Sequence, residues 1–475
     1  MSLIDLSDYN DAKRVFDFFL ELTKIPRPSG SCGKVADYLE NFAKERGLFY
    51  ERDALDNVIM RKCASKGYED RPTVIFQAHT DMVAQKTQDC PIDMTEEGVK
   101  VLRDGDFLTA DGTTLGADDG IGVAYALAVL DSSDIPHPEF EAIFTVDEET
   151  GLFGASGLNA DAVRGRLLIN IDSDAEGIFT VGCAGGVRVT GKLEFATERV
   201  FNAKLLEVSG ALGGHSGVDI DKGRANASKL AIELLSRLNG VRLIEIVGGN
   251  MDNAITRNCK VKFTFDGDIS DALLKFNSET KSKYGDTDPN INITVKDLGG
   301  EHLALSTSDS EKAISLLASM PDGIISMSED IEGLVQTSLN LGMLSLTNGA
   351  LTFSSALRSS KELEKEELAA RVSSLILDAG GKAERYGGYP AWEYRRGSHL
   401  RDCMCNVYRN IYGKDATVLT IHAGLECGIL SNKLPGLDCV SIGPDAYDIH
   451  TTEERLSISS TARVWEFLKE VLKQI

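Results

Sequence analysis

The chain has 475 residues, of which 42% are hydrophobic and 26% are charged, and this composition excludes collagen-like, disordered and membrane-embedded proteins. Its 50 basic and 73 acidic residues give a formal net charge of -23. So acidic a chain is not expected to bind nucleic acid or anionic lipid through its surface charge. At about 150 residues per domain, the length predicts two or three domains.

The cysteines and the first residues bear on the cellular compartment. Nine cysteines are scattered without a CxxC pair, so neither a disulfide framework nor a zinc ribbon is predicted. The opening segment, MSLIDLSDYNDAKRVFDFF, carries acidic residues early and lacks the apolar core of a secretory leader. No apolar stretch reaches the ~20 residues of a membrane span. We therefore expect a cytoplasmic protein with no membrane partner.

The first third of the chain alternates helical and strand patterns, which is typical of an α/β fold. Amphipathic runs at 11–24 and 33–46 predict helices, and β-branched segments at 57–61 and 73–78 predict strands. The apolar runs VIFQA, EAIFTV and LLINI each end in polar residues. Because ligands of open α/β sheets bind at the carboxyl ends of strands, these polar groups are expected to collect at one sheet edge.

From about residue 187 the pattern changes to a β-rich α+β unit. It predicts helices at 224–238 and 361–379, strands at 292–297, 335–345 and 350–358, and then a helix at 399–412. No internal repeat and no low-complexity linker is visible in the sequence. We therefore predict a catalytic domain formed by residues 1–186 and 396–475, into which a second domain, residues 187–395, is inserted.

His79 and Asp81 lie two residues apart at the end of the run VIFQA. The strand period of two directs both side chains to one face, so the aspartate can orient the imidazole of a metal-binding histidine. The alternative is a strand-end polar pair in contact with water.

The segment LGADDGIG, residues 115–122, places Asp118 and Asp119 between glycines just before a helix. Adjacent carboxylates repel each other, and a cation would remove the conflict. An aspartate N-cap in a flexible loop would give the same pattern.

Three more acidic or histidine-containing segments end strands or follow them. They are TVDEETG at 145–151, LLINIDSD at 167–174 and the segment around His450. Together the segments offer two histidines, two acids and one bridging aspartate, a donor set that suits two divalent cations about 3.5–4 Å apart. Zinc is the leading prediction, and manganese or cobalt would accept the same nitrogen and oxygen donors.

The order of these motifs matches a known family. HTDMV, GADDGIG, DEETG, NIDSD, GGHSG, HAGLECG and DIHTTEE span essentially the whole chain and resemble the aminoacyl-histidine dipeptidases. These belong to a larger group of co-catalytic metallopeptidases that includes aminoacylase, carnosinase and carboxypeptidase G. GCAGG and HAGLECGIL resemble the dipeptidase branch in particular. The resemblance implies a mixed-sheet α/β catalytic domain with an inserted α+β lid that also serves dimerisation.

The resemblance also implies a role for each site residue. One metal ion would be bound by His79 and Asp172, the other by Glu149 and His450, and both by Asp118, which a cis peptide bond would join to Asp119. Asp81 would orient a ligand, and Glu148 would be the general base that takes a proton from water and returns it to the leaving amine.

Four residues of the inserted domain and its neighbourhood are implied to contact the substrate. His215 would donate a hydrogen bond to the developing oxyanion, although GGHSG is also compatible with a flexible turn bearing an exposed histidine. Arg358 would bind the terminal carboxylate through a bidentate fork. Asn253 and Gly424 would supply the remaining contacts.

The predicted function is hydrolysis of unblocked dipeptides, Xaa-His and others, by an enzyme with two zinc ions. An aminoacylase or carboxypeptidase of the same group would share the metals and recognise another end of the substrate. A non-catalytic metal-binding protein would lack Glu148 or a ligand, and none is missing.

A homodimer is expected from the resemblance. His137, His302 and His399 are not expected to bind metal, His137 being interpreted as a solvated turn, and the roles of His422 and Glu426 are left open.

Overall fold

The fold was analysed in a computed structural model that describes residues 4–475. The chain divides into two compact units. Unit 1 comprises residues 1–182, 394–420 and 425–475, and unit 2 comprises residues 183–393 and 421–424. The predicted boundaries, 186/187 and 395/396, lie a few residues away, and residues 421–424 were predicted in the catalytic domain. That unit 2 acts as a lid or in dimerisation stays a prediction.

The described residues form eleven α-helices. They are α1 (Lys13–Leu22), α2 (Gly33–Arg46), α3 (Ala117–Asp131), α4 (Phe153–Gly157), α5 (Ala227–Ser236), α6 (Ser270–Tyr284), α7 (Thr307–Ser319), α8 (Glu362–Asp378), α9 (His399–Tyr412), α10 (Glu426–Lys433) and α11 (Ile458–Gln474). Of these, α1, α2, α5, α8 and α9 lie within about three residues of a predicted helix, whereas α11 lies where only short strands were expected. Side-chain caps fix several of their starts. The Asn226 side chain, for example, accepts hydrogen bonds from two backbone amides at the start of α5. None of the described helices combines the length and the apolar character needed to cross a membrane.

The strands up to residue 201 are β1 (Phe49–Arg52), β2 (Val58–Lys62), β3 (Val74–His79), β4 (Val101–Asp104), β5 (Phe107–Ala110), β6 (Phe140–Thr145), β7 (Leu167–Asn170), β8 (Ile178–Cys183), β9 (Gly185–Glu194) and β10 (Thr197–Phe201). The later strands are β11 (Lys204–Ser209), β12 (Gly214–His215), β13 (Arg242–Gly248), β14 (Ala254–Ile255), β15 (Cys259–Thr264), β16 (Asn292–Asp297), β17 (Glu301–Leu305), β18 (Gly323–Met327), β19 (Val335–Thr347), β20 (Ala350–Ser359), β21 (Lys382–Tyr389), β22 (Thr417–Ile421), β23 (Asp438–Ser441), β24 (Ala446–Tyr447) and β25 (Arg455–Ser457).

Unit 1 is built on a mixed sheet of eight strands in the order β1-β2-β6-β3-β7-β23-β8-β22. The central strands β6, β3, β7 and β23 are parallel to one another, and β2 and β8 pair with them in the antiparallel direction. Every residue of β3, β6 and β7 is buried, which is expected for parallel strands covered on both faces. Their carboxyl ends therefore meet at one edge of the sheet, and this mixed α/β architecture confirms the predicted fold class.

Unit 2 contains the same topology twice. One half consists of β11, α5, β13, β15, α6 and β16, and the other half consists of β9 followed by α7, β19, β20, α8 and β21. The first of these halves lies in the chain between β9 and α7. Each half is a βαββαβ unit, and the strands take corresponding places in the sheet order β16-β11-β15-β13-β19-β20-β9-β21. Antiparallel pairing of β13 with β19 joins the halves. The expectation of no internal repeat therefore holds for the sequence but not for the topology.

Candidate metal centre

The carboxyl edge of the sheet in unit 1 carries the predicted ligands. His79 is the last residue of β3, and Asp172 follows β7. Glu149 follows β6, which lies parallel to β3 on its other side. Asp118 lies at the start of α3, and His450 lies in the loop after β24. The fold thus brings together five ligands that are up to several hundred positions apart in sequence.

Asp118 occupies the middle of this cluster. Its Oδ1 lies 2.9 Å from Nε2 of His79, and its Oδ2 lies 2.9 Å from Nε2 of His450. On the first side, Nε2 of His79 is also 3.6 Å from Oδ1 of Asp172. On the second side, Nε2 of His450 is also 2.9 Å from Oε1 of Glu149. Each oxygen of Asp118 therefore faces a separate group of one histidine and one acid.

Asp118 and Asp119 are joined by a cis peptide bond, as the resemblance implies. The carboxylate of Asp119 does not join the cluster as a ligand but accepts hydrogen bonds from the backbone amides of His79 and Gly122. The geometry thus separates the two adjacent aspartates, whose roles the residues alone left open.

Asp81 lies behind His79. Its Oδ1 is 3.3 Å from Nδ1 of His79, while its carboxylate accepts hydrogen bonds from the Ser29 hydroxyl and the amides of Glu148 and Glu149. Burial acts to raise the pKa of Asp81, but the nearby His79 ring and these hydrogen bonds lower it to about 2. Asp81 therefore fixes the backbone of the next acidic segment and lies next to the His79 ring, whose Nδ1 has no aligned hydrogen bond from the described residues.

Glu148 lies beside the cluster, with a carboxylate oxygen within 4.8 Å of ligand atoms of His79 and Glu149. Burial raises the pKa of Glu148 well above its ordinary value, and the carboxylates of Asp172 and Glu426 act in the same direction. A buried carboxyl group beside the cluster, with a raised pKa, is suited to general acid and base chemistry.

The donor set fits two divalent cations. Burial raises the pKa of Asp172 to about 7, and hydrogen bonds to Asp118 and Glu149 raise the pKa of His450 to about 10. Metal ligands bind in their deprotonated form, so a cation would compete with protons at these groups. Oε1 of Glu149 is buried without an aligned hydrogen bond from any described residue. Imidazole nitrogens and carboxylate oxygens in this ratio suit zinc, manganese or cobalt.

Comparison with known proteins also identifies a metallopeptidase family. A model of peptidase family M20/M25/M40 matches residues 75–474. The chain belongs to this family. Over 471 residues it is 35% identical to the cytosol non-specific dipeptidase of Escherichia coli K12, covering 97% of each chain. The recognition from sequence motifs and the predicted metallopeptidase class are thereby confirmed.

Solved structures of the M20/M25/M40 family share the fold. A crystal structure of aminoacylhistidine dipeptidase from Vibrio alginolyticus superposes with a TM-score of 0.93 at 34% identity, covering 97% of this chain and 96% of that chain. An aminopeptidase from Bacillus cereus gives a TM-score of 0.56 at 18% identity, covering 97% and 98% of the two chains, and so shares the fold alone.

Unit 2 of this M20-family chain places His215 at the end of the short strand β12. Nδ1 of His215 accepts hydrogen bonds from the amides of Gly217 and Val218, each at 3.2 Å. Because Nδ1 is an acceptor, the proton of the neutral ring lies on Nε2, which leaves Nε2–H as a donor. Burial and the nearby Arg358 lower the pKa of His215, so the neutral form is favoured.

Arg358 and Gly424 lie close to the same histidine within unit 2. Nη1 of Arg358 donates to the Tyr389 hydroxyl at 2.8 Å. A Cβ atom on Gly424 would lie 2.7 Å from the Tyr389 ring, so only glycine fits there. A Cβ atom on Gly217 would lie 3.0 Å from Cε1 of His215 and 3.1 Å from Nε of Arg358.

Asn253 is placed beside this group by its backbone. Its carbonyl accepts a hydrogen bond from the Ser216 amide at 2.8 Å. Asn253 and His215 also line a cavity of about 760 Å³ within unit 2. In unit 2, His215 is thus linked to Asn253 through this cavity, while Arg358 and Gly424 are linked through Tyr389.

Several residues near these sites were not predicted from the sequence. Tyr389 lies in the segment GGYP, whose glycines and proline are typical of the end of a helix or strand and do not indicate a functional residue. His422 is buried and its Nε2 lies 2.7 Å from the Ser338 hydroxyl. Glu426 is fully buried and accepts hydrogen bonds from Gln77 and Thr145 at 2.6 and 2.7 Å. In the sequence, Gln77 is a polar residue within an otherwise apolar strand, and this is the signal that indicates a buried polar partner such as Glu426.

The remaining histidines behave differently from one another. His137 is buried, with Nδ1 2.6 Å from the Pro138 carbonyl, so its interpretation as a solvated turn is wrong. The flanking prolines were taken as a sign of exposure, but His137 packs edge-on against Phe140 of β6. His302 and His399 belong to none of the potential metal-binding groups among the described residues.

Proposed function

We propose that this chain hydrolyses the peptide bond of unblocked dipeptides, Xaa-His among them, as a two-metal enzyme with Glu148 as general base. The observation that carries the proposal is the position of Asp118, whose two oxygens each face a separate histidine at 2.9 Å. The 35% identity to a dipeptidase over 97% of the chain supports the substrate class. The Vibrio relative supports Xaa-His substrates in particular.

The metal ligands in this proposal are His79, Asp172, Glu149 and His450, with Asp118 shared. Two divalent cations, when bound, supply an activated water and polarise the scissile carbonyl. Zinc is proposed as the metal because its usual ligands are histidine and carboxylate.

Proton transfer falls to Glu148. Its carboxylate accepts a proton from the attacking water as the C–O bond forms and the carbonyl oxygen becomes an oxyanion. It then donates that proton to the nitrogen of the leaving amine as the C–N bond breaks and the carbonyl group is restored. Asp81 supports both partners, since it lies 3.3 Å from His79 and binds the backbone amide of Glu148.

The residues of unit 2 are proposed to bind the substrate. The Nε2–H of His215 would donate to the developing oxyanion, and the half-buried guanidinium of Arg358 would bind the terminal carboxylate. Asn253 and Gly424 would complete the contacts. We also propose that unit 2 serves as a lid, that the chain forms a homodimer through it, and that the enzyme acts in the cytoplasm, as the name of the Escherichia coli relative indicates.

The test combines metal analysis with activity in wild type, Glu148→Ala and the exposed control Glu466→Ala. We expect Glu148→Ala to retain two metal ions while kcat falls by about 10²–10⁴, the usual contribution of a general acid–base group. Glu466→Ala, which also removes a carboxylate of unit 1, should match the wild type. Unchanged turnover in Glu148→Ala would overturn the base role.

A substrate panel separates the related activities. Dipeptides, acylated amino acids and tripeptides are offered to the same metal-loaded enzyme, and we expect dipeptides to give the highest kcat/KM. Preference for acylated amino acids would identify an aminoacylase instead. Two bound metals with no cleavage of any substrate would indicate a non-catalytic metal-binding protein.

A further inference from the structure

Glu454, a residue outside the ligand set, binds the loop that carries Asp118. Its side chain is 2% exposed. Oε2 accepts hydrogen bonds from the amides of Leu115 and Gly116 at 2.7 and 3.0 Å. Oε1 accepts from the amides of Ala117 and Asp118 at 2.8 and 3.4 Å. A single buried carboxylate therefore satisfies four consecutive backbone donors, the last of them belonging to the bridging residue.

Arg27 binds the same loop through its carbonyl groups. It is 2% exposed, and its Nη2 donates to the Gly116 carbonyl at 2.5 Å. Its Nη1 donates to the carbonyls of Thr80 and Asp81, each at 3.0 Å. The Arg27 guanidinium thus joins the Asp118 loop to the segment that directly follows His79.

The glycines of the motif LGADDGIG leave room for this guanidinium. A Cβ atom on Gly116 would lie 2.6 Å from Nη2 of Arg27, and one on Gly120 would lie 2.5 Å from the same atom. Gly116 also has a φ of 72°, which disfavours other residues. The spacing of glycines around the two aspartates is therefore explained by a buried arginine nearly a hundred positions earlier in the chain.

The arrangement differs from an ordinary helix cap. A capping side chain usually satisfies one or two donors of the first turn and lies next to them in sequence. Glu454 is distant in sequence and binds four donors, at a point where Asp118 and Asp119 have non-helical backbone angles. Regular helical hydrogen bonds therefore do not define the backbone of Asp118, and Glu454 and Arg27 do.

We propose that Glu454 and Arg27 are positioning residues of the metal centre, which hold the backbone of Asp118 so that its carboxylate presents one oxygen to each cation. Buried charged side chains such as Arg27 and Glu454 contribute little to the stability of the fold, because the cost of removing the charge from water offsets much of its attraction to its partners. Their placement is better explained by a role in fixing the geometry of the metal centre than by a role in stability. The proposal rests on the two-metal function proposed above.

The test measures Zn²⁺ affinity by competition with a chromophoric chelator in wild type, Glu454→Gln, Arg27→Lys and Glu453→Gln. Glu453 is the exposed neighbour of Glu454, so Glu453→Gln is a control with the same chemical change. In Glu454→Gln an amide –NH2 replaces one acceptor oxygen and faces backbone donors. In this variant we expect the dissociation constants of both Zn²⁺ ions to rise about 10–100-fold, as for other residues that support metal ligands. Arg27→Lys should show a rise at both sites, and Glu453→Gln should show none.

Two further measurements separate positioning from folding. The absorption spectrum of the Co²⁺-loaded protein reports ligand geometry, and we expect it to change in Glu454→Gln. Thermal unfolding of the metal-free proteins reports the fold. Zn²⁺ affinities within threefold of wild type, with an unchanged Co²⁺ spectrum, would overturn the proposal, even if the metal-free variant is less stable.

Each remaining outcome also decides a question. If Glu454→Gln does not fold, Arg27→Lys decides, and wild-type affinity in that variant overturns the proposal. If the wild-type protein itself binds fewer than two ions, the proposed two-metal function fails, and the positioning role, which rests on it, fails with it; wild-type affinity in the variants, by contrast, overturns the positioning role alone.

Discussion

The histidines of the two units differ in the charge of their neighbours. In unit 1, carboxylates surround His79 and His450, and hydrogen bonds to Asp118 and Glu149 raise the pKa of His450 to about 10. In unit 2, burial lowers the pKa of His422 to about 4, and the guanidinium of Arg358 acts in the same direction. Histidines among carboxylates are suited to share a cation, whereas histidines beside an arginine stay neutral and can only donate or accept hydrogen bonds.

The largest effect is expected at the carboxylate-rich site. His79→Ala removes a nitrogen donor and leaves Asp118 and Asp172 without their shared partner. We expect metal affinity to fall by more than about 100-fold, beyond the range for residues that merely support a ligand, and activity to be lost. Chelator competition measures the affinity. His399→Ala, an exposed histidine of the same unit, is the control, and two ions bound at wild-type affinity in His79→Ala would contradict the ligand assignment.

A smaller effect is expected for the neutral histidine of unit 2. His215→Ala removes the Nε2–H donor, and we expect kcat to fall by about 10²–10³, the cost of losing one oxyanion donor. Bound metal should stay at the wild-type level, because His215 belongs to none of the metal-binding groups of the described residues. Steady-state kinetics and elemental analysis check this, with His302→Ala as the control. Loss of metal together with activity would break the distinction between the two units.

The smallest effect concerns stability and pH. Because the pKa of His422 is about 4 in the folded protein, the unfolded state binds more protons between pH 4 and the ordinary pKa of 6.5. His422 therefore contributes stability above pH 6.5 that is lost as the pH falls towards 4, by at most about 3 kcal/mol. We expect His422→Gln to weaken this pH dependence in thermal unfolding. His399→Gln should leave the slope unchanged, and an unchanged slope in His422→Gln would show that His422 is not the titrating group.

Most of the proposed metal ligands could be located in the sequence because they lie at or shortly after the end of a buried strand or begin the buried helix α3. His79 and Glu149 are examples, since the strands β3 and β6 that precede or contain them are buried throughout and end at the same sheet edge. The predicted family, fold class and peptidase function are confirmed by the comparisons. These predictions were based on the motifs and on their order along the chain.

The residues that support the ligands could not be predicted in the same way. Glu454 and Arg27 bind backbone amides and carbonyls, which any residue supplies, so nothing in the partner sequence marks the contact. His137 was misjudged because its flanking prolines indicate a turn but do not determine burial. The doubled topology of unit 2 is invisible in the sequence because the fold depends on hydrophobic patterns that many different sequences satisfy.

The doubling of unit 2 has a consequence for solubility. Separated halves would each expose a sheet edge, β13 in one and part of β19 in the other, and joining them leaves β16 and β21 at the two ends of the eight-strand order, with β18 as a further strand paired to β19. Both terminal strands carry exposed charges, with Lys296 and Asp297 on β16 and Lys382, Glu384 and Arg385 on β21. Charged edges resist pairing with a strand of another molecule. The pairing of β13 with β19 therefore covers two edges that are less charged, and charged residues lie on the two strands that end the order.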